Sequence, residues 1–313
     1  MIKYTKKHLS YPSSDGIHTV HACLYRPTCT PKGIVQILHG MCEHIGRYDT
    51  LAEALTAAGY VVCGNDHLGH GRTVRGTDEL GYFSEKEGLT YVLRDTRRMT
   101  KIIRGQYPSL PVFLLGHSMG SMLARLYVVR YKTDDLAGFI CLGTIGCGNP
   151  AFAGELAAEL VSILKGDHYR SRLLTKTAFG GYCSHFPPEE GPKAWVSRDI
   201  DIVKRGYDDP LRNFSFTAAG YRDLFRLIHL ISTDTWFDSY PVELPTLIAS
   251  GMEDPVGDYG KGVREVAARL RRHGVKDLSC YLYPDVRHEL HNDPDAPLFF
   301  NDLLEWMEVV LRT

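Results

Sequence analysis

Apolar residues in the first part of the chain fall into short β-branched runs separated by stretches with helical spacing. Gly33–Leu38 (GIVQIL), Tyr60–Cys63, Pro111–Leu115 (PVFLL) and Leu136–Leu142 (LAGFICL) are continuous apolar runs, the pattern of strands buried on both faces. Arg47–Ala58, which stops at Gly59, the basic amphipathic stretch Leu89–Arg104, and Ser118–Tyr131 carry helical periodicity between them. Alternating strands and helices imply a mostly parallel sheet with helices on both faces. From about Ile145 to Thr235 no buried strand is readable; helical pieces such as Glu155–Leu164 alternate with loops rich in Gly, Pro and aromatics. The alternation resumes at Pro245–Ser250 (PTLIAS), Gly262–His273, Leu278–Tyr283 (LSCYLY) and Leu298–Leu311. The pattern predicts an α/β core over 1–144 and 236–313, interrupted by a helical cap over 145–235. Such a cap would sit over the carboxyl ends of the strands, where open α/β sheets bind ligands.

One motif lies at a strand-to-helix junction. Gly116-His117-Ser118-Met119-Gly120 follows PVFLL and opens the next helix, fitting G-x-S-x-G. In a nucleophile elbow the serine sits on a strained turn, and only small residues fit two positions either side. A serine hydroxyl needs a base and an orienting acid, which in this fold follow it in the order acid, then histidine. Asp254 follows the strand PTLIAS and precedes a proline, and His288 follows LSCYLY. Glu253 and Asp258 are alternative acids; His291, further from its strand end than His288, is the alternative base. The oxyanion hole would take the N–H of Met119, directly after the nucleophile. Its second donor would be the N–H of Met41, in the loop after GIVQIL. Cys42 beside it would need a base of its own to act as a nucleophile.

These segments resemble a known family. HGMCEHIGRY, DHLGHGRT, GHSMGS, GMEDP and RHELHND are similar to the monoglyceride lipase and lysophospholipase branch of the α/β-hydrolases. WVSRD at Trp195–Asp199, DPLRNFSFT at Asp209–Thr217 and DPVGDYGKGV at Asp254–Val263 resemble bacterial members, and the middle segment departs from the mammalian lipase. The resemblance runs from about Tyr11 to the C-terminus. It implies an α/β-hydrolase fold and carboxylic-ester hydrolysis through an acyl-enzyme on a small-molecule ester such as a monoacylglycerol or lysophospholipid. It also implies Ser118 as nucleophile, Asp254 as acid, His288 as base, Met41 and Met119 as oxyanion donors, and no metal or organic cofactor. An aminopeptidase on the same scaffold is the rival reading; it would need a carboxylate cluster in the cap, for which Glu189-Glu190 is the candidate.

Composition narrows the remaining classes. Thirty-six basic against thirty-seven acidic residues leave no excess with which to neutralise a nucleic-acid backbone. No run of about 18 apolar residues predicts a membrane span. The start, MIKYTKKHLSYPSSDG, has no apolar run after its lysines, which argues against a cleaved secretory signal. Eight cysteines with no C-x-x-C pair then read as reduced thiols of a cytoplasmic protein. Gly64–Gly71 (GNDHLGHG) lacks a dinucleotide fingerprint and reads as a tight loop, with Asp66, His67 and His70 in structural hydrogen bonds. Trp195 and Arg198–Asp199 read as cap packing and an ion pair. Phe152, Leu156, Leu160, Ile163 and Leu164 form an apolar stripe. Packing on the core or lining of an acyl site is its first reading, and peripheral membrane contact its second.

Overall fold

The computed structural model describes residues 4–147 and 151–312, so the extreme N-terminal residues and three positions at the start of the expected cap lie outside the described residues. Two antiparallel strands open the chain, β1 (Tyr4–Pro12) and β2 (Thr19–Pro27). The α/β part follows as β3 (Gly33–Leu38), α1 (Asp49–Ala57), β4 (Tyr60–Asn65), α2 (Gly88–Gln106), β5 (Val112–His117), α3 (Met119–Arg130) and β6 (Gly138–Leu142). Five helices come next: α4 (Ala151–Lys165), α5 (Arg172–Phe179), α6 (Ile200–Asp208), α7 (Ala218–Ser232) and α8 (Asp234–Asp238). The chain closes with β7 (Thr246–Gly251), α9 (Lys261–Arg272), β8 (Leu278–Tyr283) and α10 (Ala296–Val310). Among the described residues no strand lies between β6 and β7, as the sequence pattern predicts. No helix there is long and apolar enough to cross a membrane.

The eight strands form one sheet in the order β1-β2-β4-β3-β5-β6-β7-β8, antiparallel from β1 to β4 and parallel from there on. The period-2 geometry of a strand sends alternate side chains of each central strand to opposite faces of the sheet. Phe113, Leu115, Ile140, Leu142, Leu247 and Ala249 pack with Leu51 and Leu55 of α1 and with Phe299, Leu303 and Trp306 of α10. The intervening Leu114, Phe139, Cys141 and Ile248 pack with Leu93 of α2, Leu123 and Tyr127 of α3 and Val266 and Leu270 of α9. Both faces are apolar because both are covered, and that is why these strands read as unbroken runs.

The β1–β2 ribbon was not predicted. β1 is an edge strand with exposed Lys6 and Lys7, so no alternation marks it. Its turn is chemically ordinary: Asp15 Oδ1 accepts from the N–H groups of Ile17 (2.8 Å) and His18 (3.0 Å), and Gly16 has φ +75°. The helix expected from Arg47 begins instead as a 3₁₀ turn over Ile45–Tyr48, capped by the His44 ring, with α1 starting at Asp49.

The glycines of G-x-S-x-G are required by close approach. A Cβ at position 120 would sit 2.1 Å from the Leu38 carbonyl oxygen, and one at position 116 would sit 2.3 Å from the Gly120 carbonyl oxygen. Neither contact can be relieved by rotating a side chain. Gly120→Ala is expected to lower unfolding free energy by about 1–3 kcal/mol and to remove hydrolytic activity. Urea denaturation with a parallel activity assay would check both; an active variant of unchanged stability would contradict the geometry.

Candidate active site

Ser118 connects β5 to α3 with φ 55° and ψ −123°, a strained conformation for a residue with a side chain. The strain is held by the backbone around it. Ser118 N–H donates to the Leu142 carbonyl (2.9 Å), and the Ser118 carbonyl accepts from Ser121 N–H (2.9 Å), Ser121 Oγ (2.6 Å) and Met122 N–H (3.2 Å). The turn leaves Ser118 lining a cavity at the carboxyl ends of the strands.

Asp254 and His288 meet there. His288 Nδ1 donates to Asp254 Oδ2 at 2.9 Å. The carboxylate is fully buried and also accepts from Ser250 Oγ (3.0 Å) and Val256 N–H (2.9 Å), which fixes both its oxygens. Burial of the His288 ring disfavours its charged form, but the neighbouring Asp254 carboxylate outweighs burial and lifts its pKa above the ordinary 6.5. With the proton on Nδ1, Nε2 remains to serve as a base. His288 and Ser118 line the same cavity. Among the described residues no hydrogen bond joins Ser118 Oγ to the ring; such bonds are often long without substrate and tighten when it binds.

The competing residues are elsewhere. His291 stacks on Tyr48 (4.5 Å, 12°), neither of its ring nitrogens has a hydrogen-bond partner, and burial and then His117 push its pKa down to about 3. Neither Glu253 nor Asp258 bonds to a histidine among the described residues. The Cys42 thiol is pushed up to about 12 by burial and donates to the Phe214 carbonyl at 3.2 Å, so it is no nucleophile. Asp66 and His70 make structural hydrogen bonds, Asp66 to the N–H groups of Ile45 and Arg72 (both 2.8 Å) and His70 to Cys42 N–H (3.3 Å). Both His67 ring nitrogens lack partners, contrary to the expectation for that residue.

Met41 and Met119 flank Ser118 on the cavity wall. Their N–H groups donate to no acceptor in the turns and caps of the described residues. A Cβ on Gly40 would lie 3.1 Å from Ser118 Cβ, which shows how closely the Met41 loop approaches the serine.

A buried charge lattice, missed in the sequence, ties this loop to the histidine. Glu43 Oε1 accepts from Gly40 N–H and from the Tyr48 hydroxyl (2.6 Å), and Oε2 accepts from Arg47 (2.8 Å). Arg47 also donates twice to Glu289 (2.5 and 2.8 Å), the residue after His288. His117 Nε2 donates to the His288 carbonyl at 3.2 Å. Burial works to raise the Glu43 pKa, but His117 and Arg47 beside it outweigh burial and hold it well below the usual carboxylate range. The available signal was the crowding of charges, Glu43 and Arg47 after the first loop and Glu289 after the base, in segments bound for the sheet's carboxyl end.

Trp195 belongs to the site and not merely to packing around it. Its ring lies 5.0 Å from that of His288, and its carbonyl accepts from His288 N–H at 3.3 Å. The expected Arg198–Asp199 ion pair does not form. Arg198 pairs with Asp293 and Asp295, while Asp199 caps α6 by accepting from Asp201 and Ile202 N–H, a better use of an acid at a helix N-terminus.

Two cavity lobes share Met41, Ser118, Phe179 and Trp195. One, about 110 Å³, is lined by Met122, Ile145, Leu224, Phe225, Ile228 and Val256. The other, about 410 Å³, carries Glu43, Lys193, Arg212, Asn213 and Ser215 as well as His288. The expected apolar stripe of α4 lines neither lobe: Phe152, Leu156, Leu160, Ile163 and Leu164 are all more than half exposed. The helix instead packs through Ala151, Gly154, Ala158 and Ser162, and a Cβ at Gly154 would lie 2.8 Å from the Phe225 ring of α7.

Comparison with known proteins agrees with this architecture. Residues 29–295 match the family described as serine aminopeptidase, S33. The chain belongs to this family. It is 33% identical to the monoglyceride lipase of Rattus norvegicus over 90% of this chain and 86% of that protein. It is 28% identical to the monoacylglycerol lipase of Mycolicibacterium smegmatis over 98% of this chain and 99% of that protein. The crystal structure of a thermostable carboxyl esterase from Bacillus coagulans superposes with a TM-score of 0.91, at 32% identity, covering 98% of this chain and 99% of that one. This chain is an α/β-hydrolase and an ester hydrolase.

The raised His288 pKa has a defined kinetic consequence if the ring is the base. Only the neutral ring accepts a proton, so kcat/KM should rise with pH through an inflection above 6.5. Asp254→Asn should leave the fold intact, move the inflection down and slow hydrolysis by about 10³–10⁴. A pH–rate profile of both proteins on a soluble aryl ester checks this; an unshifted inflection in the variant would separate His288 from Asp254.

Proposed function

We propose that this protein is a serine carboxylic-ester hydrolase of single-acyl esters, monoacylglycerols or lysophospholipids, acting by a Ser118–His288–Asp254 triad. His288 Nε2 takes the proton of Ser118 Oγ as the oxygen attacks the ester carbonyl. The N–H groups of Met41 and Met119 hold the oxyanion. The protonated His288, steadied by Asp254, then delivers its proton to the departing alcohol oxygen. A water deprotonated by the same ring releases the fatty acid from the acyl-enzyme.

The observation that carries the reading is the 2.9 Å His288–Asp254 bond beside a strained serine, where a lobe lined mainly by apolar side chains meets one that also carries charged side chains. An acyl chain suits the first lobe and a polar alcohol such as glycerol or a glycerophosphate the second, where Lys193 and Arg212 supply positive charge. The monoglyceride lipases among the relatives act in the same direction. Glu43 and Glu289 also face that lobe, but both are committed to Arg47. Glu190 is paired with Arg287 (2.6 Å), and neither Glu189 nor Glu190 lines a lobe, which weighs against an aminopeptidase. In this reading 145–235 is the cap over a core of 1–144 and 236–313. The enzyme is cytoplasmic, in keeping with cysteines that are all unpaired.

Ser118→Ala should abolish hydrolysis of a monoacylglycerol and labelling by a fluorophosphonate while the protein stays folded. Wild type should cleave that monoacylglycerol far faster than an aminoacyl anilide. Faster cleavage of the anilide would favour the peptidase, and labelling of the alanine variant would remove Ser118 from the mechanism.

The cap also offers a route to substrate in aggregates. α4 contributes Gly154 to the apolar lobe and turns Leu160 and Ile163 outward, so its exposed stripe lies on the helix that walls the acyl site. We read the stripe as a peripheral membrane contact. A Leu160→Ser, Ile163→Ser double variant should bind phospholipid vesicles about tenfold more weakly and lose activity on aggregated monoacylglycerol. It should keep its activity on a soluble short-chain aryl ester. Unchanged vesicle sedimentation would exclude the contact.

A further inference from the structure

Three soft-donor side chains converge on one face of the β1–β2 ribbon, away from the catalytic cavity. His8 stands directly opposite Cys23 in the antiparallel register, and His21, two residues before Cys23, projects to the same face. His8 Nδ1 lies 3.0 Å from His21 Nε2 and 3.6 Å from Cys23 Sγ. All three donor atoms fall within 4.8 Å of one another. A tetrahedral ion with zinc-like bond lengths holds two nitrogens about 3.3 Å apart and a nitrogen and a sulfur about 3.6 Å apart. The ribbon therefore already holds two of these separations within a few tenths of an ångström of what such an ion needs.

A second observation concerns the direction of the lone pairs. His21 Nδ1 is hydrogen-bonded to Asp66 Oδ2 at 2.9 Å. A carboxylate only accepts, so the ring proton sits on Nδ1 and the Nε2 lone pair points at His8 and Cys23. Carboxylate–imidazole pairs of this kind orient the histidines of metal sites. Asp66 is itself immobilised by the N–H groups of Ile45 and Arg72, so the orientation is set by the fold. His8 is exposed, and its ring can carry its proton on Nε2 and release Nδ1 as a donor. The nearby Lys6 ammonium is paired with Asp49 at 2.8 Å, which reduces its repulsion of a cation.

We propose that His8 Nδ1, His21 Nε2 and Cys23 Sγ form a binding site for a borderline-soft divalent ion of the zinc type, with water as fourth ligand. Binding releases the Cys23 thiol proton to solvent, so the protein supplies two neutral nitrogens and one thiolate. That donor set discriminates against magnesium and calcium, which take oxygen ligands. The exposed His8 gives the ion its way in, and the bound ion would clamp the edge strand β1 to β2.

The test is a cobalt titration of the untagged, reduced, chelator-treated full-length protein. One equivalent of Co²⁺ should produce thiolate-to-cobalt charge-transfer absorption together with the visible bands of a tetrahedral site. Zinc should bleach both, and magnesium should bleach neither. Cys23→Ala should remove the charge-transfer band. His8→Asn, an exposed substitution that spares the fold, should weaken cobalt binding at least tenfold. Cys29→Ser, at an exposed thiol outside the cluster, should change nothing. Absence of the band at equimolar cobalt, its persistence in Cys23→Ala, or unchanged affinity in His8→Asn would each overturn the site. Should Cys23→Ala fail to fold, His8→Asn decides alone.

Discussion

Helix α3 begins where it does because nothing projects from residue 120. The Leu38 carbonyl at the end of β3 occupies the space a Cβ would need, 2.1 Å from where it would be. That contact brings the ends of β3 and β5 together, and with them the Met41 loop and the elbow. Ser118 can then hold φ 55° because four hydrogen bonds to its backbone, one from its own N–H and three to its carbonyl, resist relaxation. Strain of this kind costs on the order of 1–3 kcal/mol and persists only where the surroundings over-determine it. Here the surroundings are the apolar clusters on the two faces of the sheet, which lock the strands in register.

The second constraint is electrostatic. Glu43, Arg47 and Glu289 are almost wholly inaccessible to water, and removing Arg47 would strip both buried carboxylates of the cation they share, a cost of about 3–5 kcal/mol. Such a lattice is weak evidence for stability and better evidence for positioning. It runs from the N–H of Gly40 through Arg47 to the residue after His288. Two loops from opposite halves of the chain are thereby held in fixed relation across Ser118. His117, inside the elbow itself, adds a third tie through the His288 carbonyl. In the proposed mechanism the oxyanion donor and the base must keep that relation while charge moves between them, and preorganised groups do so without reorganisation at the moment of reaction.

Much of this was legible because each readable feature has a local physical cause. β3 matches its apolar run residue for residue, and β4 to β7 differ by one or two residues at their ends, since burial on both faces leaves a continuous signal; β8, a half-buried edge strand, is matched as well. Asp254 and His288 could be placed because strand order fixes which loops reach the carboxyl edge. What escaped was relational. Edge strand β1 packs little and so carries no periodic mark. A Glu four residues before an Arg is also the pattern of a solvated helix face, so Glu43 and Arg47 alone do not mark a buried pair; the partners that bury it, His117 and, through Arg47, Glu289, are distant in the chain.

The α4 stripe shows the same limit from the other side. Phe152, Leu156, Leu160, Ile163 and Leu164 have the spacing of a buried face, and periodicity says that one side of a helix is apolar without saying which way it turns. Direction is decided by the partner. Against α7 the close approach of Phe225 demands Gly154, and Ala158 and Ser162 are buried on the same helix, so the small residues go inward and the large ones out. A helix buried through its small residues keeps its larger apolar area for something else. On a helix that also walls the first lobe, that area would, in the proposed reading, border the region where an acyl chain leaves its aggregate. In that reading the inversion of large and small residues lets the helix pack on its own protein and still present an apolar face to the medium its substrate comes from.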